Sequence, residues 1–268
     1  MKRVALLIFA IAPMLFGCSN DKTPYNRELY YEFVAESGDV VDMKVFLPEE
    51  SINCGAAVIA CPGGGYSYLA GGYEGEDWAP FFNERGIAYA VLRYRLPQGN
   101  PEIPVEDLYS ALHIFQRNAS NWLINKDKIG VMGFSAGGHL ASTAATHFNG
   151  KMRPDFQILF YPVITMVGAT HNGSRDNLLG SHATSELRTY YSNELQVSDA
   201  TPQAFITYAT NDTTVPPASN GKAYYDALTK CGVPATLVTF SSGGHGWGSN
   251  FAHMAELKQK LGAWLDNL

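Results

Sequence analysis

The sequence has little cysteine and no spacing typical of a metal site. Four cysteines occur in 268 residues, and their intervals match no metal-binding pattern. If Cys18 belongs to a processing signal, then Cys54, Cys61 and Cys231 allow at most one disulfide. We expect Cys61 and Cys231 to be small buried hydrophobic residues. The sequence therefore predicts no metal site and no disulfide framework.

Positive charge is also scarce. The 19 lysine and arginine residues are outnumbered by 25 aspartate and glutamate residues, and the net charge of −6 becomes −8 if Lys2 and Arg3 leave with a signal peptide. This balance argues against a nucleic-acid partner and against electrostatic docking on anionic lipid. The glycine-rich stretches contain neither G-x-G-x-x-G nor GK[ST], so nucleotide binding is not expected.

One apolar run stands at the start of the chain. A basic pair precedes residues 4–16, which are too few to span a membrane as a mature helix and are typical of a secretory signal. Residues 15–18 then resemble a bacterial lipobox. We expect a signal peptide over 1–17, lipidation of Cys18, a tether over 18–25, and export to the periplasm or cell surface with membrane contact only through that lipid. The alternative is an ordinary cleaved signal in which Cys18 has no role.

The most informative stretch is Gly133-Phe134-Ser135-Ala136-Gly137, which follows an apolar run at residues 129–132. It matches G-x-S-x-G, the strand–turn–helix elbow that exposes a nucleophilic serine at the top of a sheet. The glycines are needed because side chains would collide in so sharp a turn. Ser135 is therefore the candidate nucleophile, and an ordinary glycine-rich loop is the alternative.

Two residues farther along the chain complete what a serine nucleophile needs. The hydroxyl requires a histidine to take its proton and a carboxylate to orient that histidine. Asp212 lies just past a buried strand predicted over 204–209, and His245 lies in a glycine-rich loop after a strand predicted over 235–240. The order Ser135, Asp212, His245 is a known order for such a triad.

Simpler roles for these residues stay open. The alternative role for Asp212 is that of a plain turn aspartate, and the alternative role for His245 is that of an ordinary loop histidine. Asp199 precedes its strand, and Asp107 lies on a predicted helix, where we expect an exposed or capping role. The histidines on predicted helices are expected to be packing or surface residues: His113, His139, His147 and His253.

A second glycine-rich turn offers candidate oxyanion donors. The strand predicted over 56–61 ends in Pro62-Gly63-Gly64-Gly65-Tyr66, where the backbone can approach a substrate closely. Acyl transfer needs backbone N–H groups from such a loop and from the residue after the nucleophile. We therefore assign Gly64, Gly65 and Ala136 to the oxyanion hole. Pro62 stands where the HGGG pattern has histidine, so we expect a different anchor for the loop.

Strand and helix patterns alternate along one domain, residues 26–268. An opening hairpin over 27–34 and 40–47 is followed by strands and helices in turn, including a fourth strand over 88–96 and an amphipathic helix over 105–123. With 46% hydrophobic residues, this rhythm predicts an α/β domain whose mostly parallel sheet has helices on both faces.

Residues 162–202 interrupt that rhythm, because they are longer than a typical crossover. Their composition is polar and aromatic rather than apolar, which suits a sugar better than a lipid. We interpret them as a cap-like insertion over the site. His171 in this insertion and Tyr66 in the glycine turn are the candidates for substrate contact. The alternative is a solvated excursion with no role in binding.

Together these motifs resemble the α/β-hydrolase carbohydrate esterases. The likeness spans roughly residues 26–268 and rests on the glycine turn, the elbow, the acid and histidine loops, and the stretches Val91-Leu92-Arg93-Tyr94-Arg95-Leu96-Pro97 and Tyr191-Ser192-Asn193-Glu194. Within this family the chain is most similar to acetyl xylan and feruloyl esterase-like proteins. The resemblance implies an α/β-hydrolase fold and a serine esterase that acts on acylated plant polysaccharides or oligosaccharides such as xylan, without a metal or organic cofactor.

The acyl group that we expect first is acetyl, because the insertion is modest, and feruloyl comes next. A general short-chain carboxylesterase would use the same triad and differ only in its pocket. A serine peptidase of this fold usually needs an added domain to select peptides. A catalytically silent carbohydrate-binding protein would be expected to lack part of the triad, all of which is present here.

Overall fold

A computed structural model describes residues 25–35 and 37–268, and the expected signal peptide and Cys18 lie outside these ranges. Eight strands form one sheet in the order β1-β2-β4-β3-β5-β6-β7-β8. Their bounds are β1 Tyr25–Val34, β2 Val40–Pro48, β3 Ala57–Cys61, β4 Ala88–Arg93, β5 Ile129–Phe134, β6 Phe156–Phe160, β7 Gln203–Ala209 and β8 Ala235–Phe240. The α-helices are α1 Ala79–Asn83, α2 Glu102–Asn118, α3 Ala136–His147, α4 Asn172–Leu179, α5 Ser185–Tyr190, α6 Gly221–Lys230 and α7 Met254–Leu265.

The sheet is antiparallel at one end and parallel elsewhere. Strand β1 pairs with β2, and β2 pairs with β4, in antiparallel register, while every pair from β4 to β8 is parallel. Every residue of β3, β5 and β6 is buried, as expected of parallel strands covered by helices on both faces. Helix α3 packs on β3, β5 and β6, and α6 packs on β7 and β8. The predicted α/β-hydrolase fold and its opening hairpin are confirmed.

The largest differences from the predicted element boundaries are in α2 and β4. Helix α2 covers Glu102–Asn118, so it begins and ends earlier than the predicted 105–123. Pro104 lies inside its first turn, where the missing N–H costs no intrahelical hydrogen bond. Strand β4 stops at Arg93 instead of residue 96. No helix in the part of the chain described here has the length and apolar content that a membrane crossing requires.

Two residues lie in environments other than those expected. Asp107 is fully buried, not exposed, because α2 turns it towards the Arg95 guanidinium, with Arg95 Nη2 2.6 Å from Asp107 Oδ1. Cys231 is exposed, not buried, because it ends α6 at the surface, whereas Cys61 in β3 is buried as predicted. Cys54, Cys61 and Cys231 are all free thiols.

Candidate active site

The predicted nucleophile elbow forms at the end of β5. Ser135 has φ +51° and ψ −116°, a conformation that L-residues rarely adopt, and its N–H donates to Phe160 O at 3.0 Å. Cβ atoms on the flanking glycines would overlap backbone, on Gly133 the carbonyl of Gly137, and on Gly137 the carbonyls of Cys61 and Pro62. Only glycine fits at either position, so the sharp turn that presents Ser135 depends on both.

Ser135, His245 and Asp212 form a continuous hydrogen-bonded chain. His245 Nε2 lies 2.7 Å from Ser135 Oγ, and His245 Nδ1 lies 2.6 Å from Asp212 Oδ2. The Asp212 side chain is 1% exposed, and its other oxygen accepts the N–H groups of Thr214 and Val215 at 2.9 and 3.0 Å. The carboxylate is therefore fixed by two backbone donors, and it orients the imidazole towards the serine hydroxyl. The structure brings the three predicted residues together in the arrangement of a catalytic triad.

Backbone amides face the region beside Ser135 from two directions. Ala136 is the first residue of α3, so its N–H has no partner within the helix. Within the described residues, no acceptor takes the N–H of Gly64 or Gly65. A Cβ atom on the neighbouring Gly63 would lie 3.1 Å from the Ser135 Cβ, so the glycine turn approaches the elbow closely. The three assigned donors thus carry uncommitted amides near the serine, and their role as an oxyanion hole stays a prediction.

Glu74 anchors the glycine turn, and the sequence pattern did not single it out. Its side chain is buried, and Glu74 Oε2 accepts the N–H of Gly63 at 2.9 Å while Oε1 accepts the Tyr161 hydroxyl at 2.7 Å. Burial raises the pKa of the Glu74 carboxyl. This carboxylate provides the different anchor that was expected where the HGGG histidine is missing.

A family model for the α/β-hydrolase fold matches residues 81–249, which include the elbow, the acid and the histidine. The chain belongs to the α/β-hydrolase fold family. The described residues contain no cluster of three or more His, Cys, Asp or Glu side chains that could hold a metal ion.

Two relatives of this chain are named for xylan or its acetyl esters. The chain is 41% identical over 232 residues to an acetylxylan esterase of Xylanibacter ruminicola, and 34% identical over 235 residues to an endo-1,4-beta-xylanase B of Butyrivibrio fibrisolvens. These alignments cover 84% and 82% of this chain but only 48% and 36% of the relatives. The chain therefore spans about half or less of the curated proteins that it matches.

Solved structures share the architecture of this chain. An acetyl ester-xyloside bifunctional hydrolase from Caldicellulosiruptor lactoaceticus superposes with a TM-score of 0.79 at 32% identity, and the match covers 85% of this chain and 88% of that one. A carboxylesterase from Lactobacillus plantarum superposes with a TM-score of 0.76 at 22% identity, covering 90% and 97%. The second likeness shows the fold alone.

Tyr66, one of the two substrate candidates, faces the interior of the protein. Its backbone has φ +59°, its side chain is 2% exposed, and its hydroxyl lies 3.0 Å from His139 Nδ1. The expected substrate contact of the Tyr66 side chain is therefore wrong, because the left-handed turn directs the ring into the core. Two residues on, Tyr68 is 59% exposed and packs against Gly64. It is the aromatic ring that this turn offers at the surface.

His171, the other candidate, lies beside the glycine turn. Its Cε1 is 3.5 Å from the position that a Cβ on Gly65 would occupy. Its Nδ1 accepts the Ser174 N–H at 3.2 Å and caps α4. Burial and the positive charge of protonated His245 lower the pKa of His171. A neutral ring with an accepting Nδ1 carries its proton on Nε2, so His171 offers a hydrogen-bond donor near the triad.

The insertion over residues 162–202 contains two short α-helices, α4 and α5, rather than a long lid. Asn177 Nδ2 donates to Gly65 O at 2.9 Å, which joins α4 to the glycine turn. The Tyr191 hydroxyl donates to Glu102 at 2.5 Å, which joins the end of α5 to the start of α2. The insertion is thus tied to the frame of the site, and its covering role stays a prediction.

Proposed function

We propose that this protein is a serine esterase that removes O-acetyl groups from xylan-type plant polysaccharides or oligosaccharides through an acyl-enzyme. The observation that carries the proposal is the hydrogen-bonded chain from Ser135 through His245 to Asp212. The identity to an acetylxylan esterase supports the acetyl group and the xylan substrate. The exposed Tyr68 ring and the donor on His171 are features that suit a sugar beside the reacting ester.

In the first half-reaction, Ser135 Oγ attacks the ester carbonyl carbon while His245 Nε2 takes the hydroxyl proton. Asp212 holds the imidazole through Nδ1–H and stabilises the imidazolium that forms. The amides of Gly64, Gly65 and Ala136 donate to the oxyanion of the tetrahedral intermediate, and one such donor is typically worth about 3 kcal/mol. The bond from the carbonyl carbon to the sugar oxygen then breaks, and His245 gives its proton to that oxygen.

In the second half-reaction, water attacks the acetyl group on Ser135. His245 Nε2 takes a proton from the water, and the same amides stabilise the second oxyanion. The bond to Ser135 Oγ breaks, acetate leaves, and the proton returns to the serine. Residues of this chain stabilise the imidazolium and both oxyanions, so the proposed reaction needs no further group.

The proposal is tested by measuring acid release from acetylated xylan, from a feruloylated arabinoxylan oligosaccharide and from 4-nitrophenyl acetate. We expect acetate from xylan, and loss of that release in Ser135→Ala. Release of ferulate alone would make the protein a feruloyl esterase, and hydrolysis of the aryl ester alone would make it a general carboxylesterase. Activity on none of the three would favour a carbohydrate-binding protein.

His171 is proposed to donate from Nε2 to the substrate. His171→Ala is expected to raise the KM for acetylated xylan oligosaccharide by roughly fivefold, which is about 1 kcal/mol for one hydrogen bond. His182, a second histidine of the insertion, provides the matched control in His182→Ala. Equal KM values in wild type and His171→Ala would contradict this role.

We also propose that the protein is exported as a lipoprotein anchored through Cys18. The support is the apolar run over residues 4–16 with the lipobox-like residues 15–18. Expressed in a bacterium, the full chain is expected in the membrane fraction with a diacylated N-terminal peptide visible by mass spectrometry. Cys18→Ser is expected to abolish that mass. An unmodified cleaved terminus in the wild type would contradict lipidation but not export.

A further inference from the structure

Glu74 is a buried carboxylate without a lysine or arginine partner in the described part of the chain. It is 2% exposed, and no lysine or arginine there forms a salt bridge with it. Both of its oxygens instead accept hydrogen bonds from neutral donors, Oε2 from the Gly63 N–H at 2.9 Å and Oε1 from the Tyr161 hydroxyl at 2.7 Å. Burying a charge in this way is costly unless its donors are well placed, so the contacts hold all three groups in one geometry.

Tyr161 extends this connection to the histidine loop, residues 241–253. Its hydroxyl accepts the Gly248 N–H at 2.8 Å, and the edge of its ring meets the His245 ring with 4.9 Å between centroids. Tyr161 follows β6 with φ +36°, a strained backbone that persists only where surrounding contacts fix it. Three hydrogen bonds therefore join Gly63 to Gly248 through Glu74 and Tyr161.

A second connection runs through the residue before Glu74. The Tyr73 carbonyl accepts the Ser249 N–H at 2.8 Å, and a Cβ on Gly248 would overlap that carbonyl. On the other side, a Cβ on Gly63 would overlap Glu74 Oε2. The segment at 73–74 is thus in close contact with the glycine turn and the histidine loop at once, and a shift of Glu74 would move both.

We propose that Glu74 is a positioning residue that holds the amides of the glycine turn and the imidazole of His245 in register across Ser135. The role rests on the proposed esterase function, because register matters only where one transition state uses the amides and the imidazole together. Catalytic groups must be held within about half an ångström of their productive positions, and a small displacement costs more in rate than in binding.

The test compares Glu74→Gln, Tyr161→Phe and the double variant. Glutamine keeps the size of the side chain, but it has one accepting oxygen and one donating nitrogen, so it cannot accept from both Gly63 and Tyr161. With 4-nitrophenyl acetate we expect each single variant to lower kcat by roughly tenfold to hundredfold, with KM within about twofold of wild type. Because the two contacts act in series, the double variant is expected to lose little more than Glu74→Gln alone.

The matched control is Asp107→Asn, which alters another buried carboxylate, one held by Arg95 and not in contact with the triad. This variant is expected to lower the urea midpoint of unfolding and to leave kcat unchanged. A Glu74→Gln variant that behaved in the same way would overturn the proposal, since its carboxylate would then serve folding alone. The proposal would also be overturned if the fold-decreases in kcat of the two single variants multiplied in the double variant, because the two contacts would then act independently. If Glu74→Gln does not fold, an unchanged kcat in Tyr161→Phe overturns the proposal and a tenfold lower kcat supports it.

A second readout separates this inference from the proposed substrate. An alkyl fluorophosphonate reacts with an activated serine, forming a bond from Ser135 Oγ to phosphorus while fluoride leaves and His245 takes the proton. Its rate depends on the imidazole and the oxyanion donors but not on recognition of an acetyl ester. We expect labelling to be slower by tenfold or more in Glu74→Gln. A wild type that is labelled but hydrolyses none of the esters would overturn the proposed function and leave the role of Glu74 to be decided by the labelling rates.

Discussion

Buried carboxylates are held in different ways in two regions of this molecule. At the antiparallel end of the sheet, Asp107 is fully buried against Arg95, whose Nη2 lies 2.6 Å from Asp107 Oδ1. At the candidate active site, Asp212 and Glu74 are also buried, but backbone N–H groups and the Tyr161 hydroxyl hold them, and no lysine or arginine pairs with either in the described ranges. Arg95 therefore compensates the charge of Asp107 in the resting protein. The charges of Asp212 and Glu74 have no such partner and remain beside His245.

In the proposed mechanism, Asp107 and Arg95 form a structural ion pair, whereas Asp212 and His245 become an ion pair only when His245 accepts the serine proton. A permanent cation at Asp212 would compensate its charge in the resting state and would leave less stabilisation for the imidazolium that forms when His245 accepts the serine proton. Neutral donors fix the carboxylate while its charge remains available. The comparison therefore predicts that carboxylates in the site affect rate more than stability, and that Asp107 with its arginine affects stability more than rate.

The largest effect on rate is expected from Asp212→Asn. Asparagine can still accept from the Thr214 and Val215 amides, but its uncharged side chain neither fixes the correct imidazole tautomer nor stabilises the imidazolium, so kcat should fall by about 10⁴-fold. The urea midpoint should change little. The measurement is kcat on 4-nitrophenyl acetate, and the exposed Asp199, altered in Asp199→Asn, is the control. A loss below tenfold would place the orienting carboxylate elsewhere.

The largest effect on stability is expected from Arg95→Met. Removing the guanidinium leaves Asp107 buried without a cation, which typically costs about 3–5 kcal/mol. Chemical denaturation measures the loss, and kcat of the folded fraction should stay at the wild-type value. Lys151→Met is the control. Lys151 pairs with Asp127 where both side chains are exposed, so the urea midpoint of this variant is expected to equal that of the wild type. Equal midpoints for Arg95→Met and wild type would remove the contrast between the two regions.

The parts of the site that the sequence reveals are those fixed by local geometry. The elbow needs Gly133 and Gly137 because carbonyl oxygens occupy the space of a Cβ, so the motif cannot vary freely. Asp212 follows the buried strand β7, and His245 follows the partly buried edge strand β8. Both strands run parallel to β5, so their carboxyl ends lie at the same end of the sheet as Ser135. Each of these three residues could therefore be found from a short stretch of sequence and its place in the chain.

The parts that the sequence does not reveal depend on contacts between distant segments. Glu74 lies in an unremarkable turn, and only its bonds to Gly63 and Tyr161 show its place in the site. Tyr66 and Tyr68 lie two residues apart in one turn, where Tyr66 has φ +59° and a buried ring and Tyr68 has an exposed ring. No periodicity of hydrophobic residues encodes such an angle, so the sequence could not show that the Tyr66 ring faces the core.

A buried histidine extends the comparison to pH. His139 on α3 is buried between the Tyr66 hydroxyl and the Tyr191 carbonyl, and this burial lowers its pKa to about 4. Below pH 6.5 the unfolded chain binds a proton that the folded protein does not, so stability falls as the pH drops from 6.5 to 4, by about 3 kcal/mol in all from this group. His139→Gln should flatten that dependence. The measurement is urea denaturation from pH 4 to 7, and identical slopes in both proteins would contradict a neutral buried His139.

The smallest effect on kinetics is expected from Tyr68, which is exposed beside Gly64. An aromatic face that packs on a sugar ring contributes to binding of the carbohydrate and not to the chemistry on the acetyl group. Tyr68→Ala should therefore raise the KM for acetylated xylan oligosaccharide by roughly fivefold, about 1 kcal/mol, and leave kinetics on 4-nitrophenyl acetate unchanged. Tyr109→Ala, at a tyrosine that is 47% exposed on α2, is the matched control. Equal losses on both substrates would show instead that Tyr68 supports Gly64 and the register of the oxyanion amides, which would add it to the group that Glu74 holds in place.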